Sequence, residues 1–420
     1  MSLLDLPSWL IVAAFFVVTC VSRGTIFDMR PSVEKYLPNY DFYHNLSRMN
    51  QCLHHVSSQY SEFLDVQMRY RSRMGLTQYV LRVSNFSLDS VTENKSDNRS
   101  RIFFSYGEHA AEFFPVQSMF HLIENITQGY DLPQETYGGK FTRYLLNNFD
   151  LYILTIVNPD GRTIVEKTRN YCHMGTAKNA DLNSDLAANL RRTSRGTDRV
   201  IAAEPECRVF RELMSRHSFD AFFSFHSGSR QILYPLSEKN SKGSGVDVFY
   251  LASLMSSSLK SSFTLVPVNT SLFDAGIFTY ANQEKQISLT YKISLWGEKD
   301  AKSDFPDKNC FSTFNPPSED LEAELKLIHP LYPTIFNFIQ NWKKTQILIM
   351  ARQQASDKSS KTRGVPFSVS FFIFLLGGTC VLLLCNVRVP FSWKIYYRRQ
   401  RRIVSLRSLG TLFAVICPLT

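Results

Sequence analysis

Apolar and polar positions divide the middle of this chain into short apolar runs and longer periodic stretches. Residues 41–69 carry apolar positions at helical spacing and predict an amphipathic helix that enters a strand near Tyr79-Val80-Leu81-Arg82-Val83. Arg101–Tyr106, Asp150–Val157, Asp220–Phe225 and Ile287–Leu295 are compact apolar runs of strand length. Between them, Ala111–Thr127 places Phe113, Phe114, Val116, Met119, Phe120 and Ile123 at a helical period. Further helices are predicted at Glu204–Arg216, Val246–Ser262 and Ser318–Lys343. Asn158-Pro159-Asp160-Gly161 is a strong turn signal after the second buried run, and Ser87–Ser100 reads as a polar surface loop. Strands alternating with helices of these lengths imply a sheet with helices on both faces.

The two ends of the chain have a different pattern. Trp9–Val21 is an uncharged apolar run of signal-peptide length, although Asp5 precedes it and no Lys or Arg does, so an uncleaved anchor is the alternative. Pro366–Val387 is also uncharged and is long enough to cross a hydrocarbon core of roughly 30 Å as a helix. Arg388, Lys394, Arg398, Arg399, Arg401, Arg402 and Arg407 follow with no acidic residue among them, which predicts a cytoplasmic flank. The expected organisation is a signal peptide at 1–24, a lumenal or extracellular body at 25–350, a polar stalk at 351–365, a transmembrane helix at 366–387 and a basic cytoplasmic tail at 388–420. That topology predicts a single-pass type I protein of the secretory pathway or cell surface, with the membrane as a partner. The formal net charge of +10 comes mostly from the tail, so the basic balance argues for lipid headgroups rather than nucleic acid.

Asn-x-Ser/Thr sequons at Asn45, Asn85, Asn94, Asn98, Asn125 and Asn269 agree with a secretory compartment. Cys52, Cys172, Cys207 and Cys310 fall in the body, an even number that allows two disulfides in any of three pairings. No close Cys-x-x-Cys pair is present, which argues against a zinc site made of cysteines.

The chemistry concentrates in Phe103-Phe104-Ser105-Tyr106-Gly107-Glu108-His109-Ala110-Ala111-Glu112. Here an apolar run breaks at a glycine and delivers a His and a Glu three positions apart. Open α/β sheets place their ligands beyond the carboxyl ends of strands, where such a pair could hold one face of a metal ion. Imidazole plus carboxylate suits Zn²⁺, which in catalytic sites takes three protein ligands and keeps one position for water. The strand Asp220–Phe225 delivers His226 at its end, and a neighbouring strand would bring it to His109 and Glu112. Taken alone, His226 fits a buried structural imidazole bonded to a backbone carbonyl better than a ligand.

Five short motifs in order resemble the zinc metallocarboxypeptidases, peptidase family M14, over roughly residues 41–343. They are Gly107-Glu108-His109-Ala110-Ala111-Glu112, Asn158-Pro159-Asp160-Gly161-Arg162, Asn179-Ala180-Asp181-Leu182-Asn183, Glu204-Pro205-Glu206 and Phe225-His226-Ser227-Gly228. The resemblance implies a three-layer α/β/α sandwich around a mixed, mostly eight-stranded twisted sheet. It further implies one Zn²⁺ held by His109, Glu112 and His226, Asn183 among the substrate-binding residues, and peptide or protein C-termini as substrate or ligand.

Several positions depart from the family pattern. Lys292 in Leu289-Thr290-Tyr291-Lys292-Ile293-Ser294 stands where the family has its catalytic Glu, and Glu298 lies six residues further along the strand. Ser184 replaces the Arg that binds the substrate carboxylate, and Met174 stands at the oxyanion Arg, with Arg169 as an alternative. Two readings follow. One is a divergent carboxypeptidase that uses Lys292 and a clamp rebuilt from Arg230, Arg191 or Arg192. The other is a pseudo-peptidase that binds zinc and peptides without turnover.

Overall fold

In a computed structural model of the chain, the described residues are 37–89, 98–182, 204–236, 245–260, 262–269, 276–298, 310–362 and 367–384. The strands β1 (Leu64–Arg71), β2 (Thr77–Val83), β3 (Ser100–Tyr106), β4 (Phe149–Leu154), β5 (Ala221–Ser229), β6 (Gln231–Pro235), β7 (Thr264–Val268) and β8 (Leu289–Glu298) form one sheet. Their order is β1-β2-β4-β3-β5-β8-β6-β7. β4, β3, β5 and β8 run parallel, whereas β2 is antiparallel to β4 and β6 is antiparallel to β8. The sheet is therefore mixed, with its parallel centre flanked by antiparallel pairs.

The apolar runs form strands buried on both faces, because successive side chains point to opposite sides of a sheet. Ile102, Phe104 and Tyr106 of β3 pack into one core layer with Phe223 and Phe225 of β5. Phe103 and Phe222 enter the opposite layer. The first layer is closed by α1 (Leu46–Gln59), α2 (Phe113–Asp131), α3 (Tyr137–Asn148), α6 (Gly245–Ser258) and the start of α9 (Leu331–Thr362). The second is closed by α5 (Arg208–Arg216), through Val209, Phe210 and Leu213. Helices thus cover both faces, as the sequence pattern implies.

The structure refines several boundaries. The stretch 41–69 is not one helix: α1 ends at Gln59 and Leu64 begins an edge strand. The pattern there is ambiguous because an edge strand buries little, and only Leu64 and Tyr70 of β1 are fully buried. The short strands β6 and β7 and the helix α3 lie outside the predicted elements. The turn at Asn158 opens a further helix, α4 (Pro159–Thr168). Ser318–Lys343 divides into α8 (Leu321–Ile328) and α9 around Pro330, which has no N–H to continue a helix.

One pair of the body's cysteines is bridged, Cys172 to Cys310. Cys52 and Cys207 are buried thiols.

The chain divides into two compact units, residues 1–345 and 346–420. The second unit holds the end of α9 and the helix α10 (Phe367–Leu384). This corrects the expectation of a transmembrane helix at 366–387. Among the described residues no helix is long and apolar enough to cross a membrane. The membrane-anchored form, the membrane as partner and the single-pass type I membrane location rested on that span and fall with it. The proposed signal segment at 1–24 and tail at 388–420 lie outside the described residues.

Two histidines tie this fold to neutral pH. Burial lowers His44 to about 4 despite a 2.7 Å contact with Gln117, and Arg48 and Arg162 add to the effect. Burial likewise lowers His121 to about 4, with His329 and Lys326 contributing. Because the folded values lie below the unfolded value, the unfolded chain gains protons first on acidification. Stability should be complete above about pH 6.5 and decline towards about pH 4, by on the order of a few kcal/mol for the pair. Urea unfolding midpoints between pH 7.5 and 4.5 measure this, and His121→Phe should flatten the dependence.

Candidate metal centre

The chain crosses the carboxyl edge of the sheet at Gly107, where φ is +66° and the residue leaves β3. An added Cβ here would lie 3.3 Å from the Ile156 backbone, so both the conformation and the close approach favour glycine. Asn158 N–H donates to the Gly107 carbonyl and Ala110 N–H to the Met174 carbonyl, which fixes the segment on both sides. Glu112 then stands immediately before α2. The first turn of α2 is held by Asn315, whose Oδ1 accepts from the Phe113 and Phe114 amides at 2.7 and 2.9 Å. Asn315 Nδ2 donates to the Ala111 carbonyl at 2.9 Å. A fully buried amide thus sets the position of the carboxylate beside it.

His226 lies within β5 rather than at its end. The strand continues to Ser229, and its register with β8 shifts between His226 and Gly228. β3 and β5 are hydrogen-bonded neighbours, and this brings the three predicted ligands together. His109 Nδ1 lies 2.9 Å from Glu112 Oε1. His226 Nδ1 lies 3.1 Å from Glu112 Oε2 and 3.3 Å from His109 Nδ1. Bonds of about 2.0–2.1 Å to tetrahedral zinc imply ligand separations of about 3.3–3.4 Å. His109 meets one carboxylate oxygen and His226 the other, and one ligand atom from each of the three residues lies within 4.8 Å of the others. His109, Glu112 and His226 are also the one group among the described residues whose His, Cys and carboxylate atoms converge for a metal. The cluster is consistent with a single Zn²⁺ site.

The electrostatics suit a cation. Burial alone would raise Glu112, but His109 and His226 outweigh it and hold the carboxyl well below its usual range. Burial alone would lower His109, but Glu112 and Asp181 push it up to about 10. A metal taking these lone pairs therefore displaces a proton from His109. Asp181 Oδ1 approaches His109 Nε2 at 3.7 Å from a half-exposed position, and orients the ring from its far side.

The remaining motifs act mainly as scaffold. Asn158 Oδ1 accepts from Gly161 N–H at 2.9 Å, and its Nδ2 donates to the Gly175 carbonyl at 2.8 Å. Asp160 accepts from Ser72 and from the Met74 amide, holding the β1–β2 hairpin. Glu204 pairs with Arg73 at 2.8 Å on the same hairpin. Arg162 is buried against Phe113 and pairs with Glu166 at 2.8 Å.

Lys292 is half-buried in β8, level with Ser224 and two positions before His226. Ser294, not Lys292, is level with His226, and Glu298 pairs with Ser229 further on. Arg230 approaches Glu324 at 3.4 Å and stacks on Trp296. Arg169 caps α4 from an exposed position. Asn183, Ser184, Arg191 and Arg192 lie outside the described residues.

One participant has no role in the sequence reading. Glu108 is buried, accepts from Ser105 Oγ at 2.8 Å, and approaches His226 Nε2 at 3.2 Å. Burial would raise it, but His226, Ser224 and Lys292 lower it to about 2. The available signal was the presence of Ser105 and Ser224 inside otherwise apolar strands.

His226→Ala leaves zinc with two protein ligands. Elemental analysis of the purified variant should show loss of the single zinc equivalent, and unchanged metal content would exclude this ligand set.

Comparison with known proteins agrees with this geometry. The family model described as "Zinc carboxypeptidase" matches residues 49–326. Carboxypeptidase B2 of Rattus norvegicus is 25% identical over 224 residues, covering 48% of this chain and 49% of the rat protein. The chain thus spans about half the length of that relative. The fold is similar to carboxypeptidase A from Helicoverpa armigera, with 14% identity, a TM-score of 0.55, and coverage of 79% of this chain and 80% of the other. It is also similar to bovine thrombin-activatable fibrinolysis inhibitor solved with a tick carboxypeptidase inhibitor, with 19% identity, a TM-score of 0.53, and coverage of 71% and 97%. With a family match across well over half of its length, this chain belongs to the zinc carboxypeptidase family.

Proposed function

We propose that this protein is a zinc-dependent metallocarboxypeptidase that hydrolyses C-terminal residues from peptides. The observation that carries this reading is the convergence of His109 Nδ1, Glu112 and His226 Nδ1 within 3.3 Å of one another. When bound there, zinc supplies a Lewis acid and a water of pKa near 7. Glu112 and His226 are almost fully buried, whereas the His109 side chain is 16% exposed, so substrate approaches from the His109 side. Asn183, next to the Asp181-Leu182 segment that reaches His109, is assigned to substrate binding on its motif position. Incubating a mixed peptide library with the full chain, with zinc or with a chelator, tests the reading by mass spectrometry. Single C-terminal residues should be lost in a chelator-sensitive manner.

A second reading, peptide or protein binding without turnover, is favoured by Lys292. The family's general base is a carboxylate, and this position of β8 carries a lysine in its place. The absence of cleavage by protein shown to contain zinc would establish this reading over the first. Lys292→Glu then separates a missing base from a missing clamp. General-base catalysis contributes roughly 10²–10⁴-fold, so the variant should raise turnover at least about tenfold if the base alone is lacking. No gain in a folded, zinc-loaded variant assigns the defect to substrate binding.

A further inference from the structure

The Nε2 side of His226 faces a closed hydrogen-bond chain that no part of the reading above uses. Ser105, Ser224 and Lys292 sit at one level across the neighbouring strands β3, β5 and β8, so their side chains share a face of the sheet. Glu108 folds back over this row. Its Oε1 accepts from Ser105 Oγ at 2.8 Å and from Ser224 Oγ at 2.5 Å. Ser224 Oγ lies 2.7 Å from His226 Nε2, and Glu108 Oε2 lies 3.2 Å from the same nitrogen. Glu108, Ser105, Ser224 and His226 are all essentially inaccessible to solvent.

Donor and acceptor counting assigns the protons. A hydroxyl has one hydrogen and an ionised carboxylate has none. The hydrogen of Ser224 goes to Glu108 Oε1, so Ser224 meets His226 Nε2 as an acceptor. When Nδ1 gives its lone pair to a metal, the one ring proton is on Nε2, where Ser224 Oγ and Glu108 Oε2 stand to accept it. Replacing Glu108 by an apolar side chain frees the Ser224 hydrogen to bond Nε2, and the ring proton then moves to Nδ1, where it blocks a metal.

We infer that Glu108 is a positioning residue that acts through Ser224 to hold His226 in the Nε2-protonated tautomer required for metal binding. The inference rests on the three-ligand zinc site and is independent of whether the protein turns over substrate. Outer partners of metal-bound imidazoles contribute about 10–100-fold to metal affinity.

Chelator competition on the full-length protein measures zinc affinity directly. Glu108→Leu should bind zinc about 10–100-fold more weakly than wild type, while Glu108→Gln keeps an acceptor oxygen for Ser224 and should stay within about threefold. A packing role alone would not separate the two variants in this way. Ring ¹⁵N shifts of His226, assigned by comparison with His226→Ala, should report a protonated Nε2 in wild type and an altered pattern in Glu108→Leu. If Glu108→Leu does not fold, Ser224→Ala removes the bridging hydroxyl alone and should weaken zinc about fivefold or more. Wild-type zinc affinity and ¹⁵N pattern in Glu108→Leu, or in Ser224→Ala where the former does not fold, overturn the inference while leaving the zinc site intact. Failure of wild type to bind one zinc overturns the site itself and the tautomer assignment with it.

Discussion

Two imidazoles and a carboxylate meet within about 3 Å at the carboxyl edge of the sheet, and the surrounding structure is arranged around that convergence. Such groups are costly to bury unless their charges and hydrogen bonds are matched. Here His109 and His226 compensate Glu112, Asp181 faces the far side of His109, and Glu108 with Ser224 faces the far side of His226. A divalent ion in the middle completes this balance.

The geometry depends on backbone devices away from the ligands. Gly107 turns the chain out of β3 through a conformation that other residues adopt at a cost. Asn315, more than 200 residues further along, anchors the first turn of α2 and with it Glu112. Asn158 joins the turn after β4 to the segment around Gly175, whose neighbour Met174 accepts from Ala110. The Cys172–Cys310 bridge ties this segment to α7 (Cys310–Phe314), which leads directly to Asn315. The polar motifs that identify the family thus mostly hold the frame, and three side chains form the candidate metal centre.

Position on the sheet also gives Lys292 physical meaning. It stands opposite Ser224, where its charge acts on Glu108 and His109. A cation so near a divalent metal site raises the electrostatic cost of loading it, and the buried Glu108 offsets part of that cost. Glu108 beneath His226 and Lys292 in β8 therefore form a connected electrostatic feature.

Much of this architecture was legible in the amino-acid order. The continuous apolar runs at Arg101–Tyr106, Asp150–Val157 and Asp220–Phe225 determined strands covered on both faces, because no half-exposed strand tolerates such a pattern. The His109, Glu112 and His226 ligand set followed from family motifs as well as residue type. Local pattern failed where tertiary context decides, at the edge strand β1 and at the short strands β6 and β7. Only the folded sheet could place Ser105 and Ser224 on one face beneath Glu108. Pairing between strands more than 100 residues apart is set by packing across the whole core, and no local sequence window contains it.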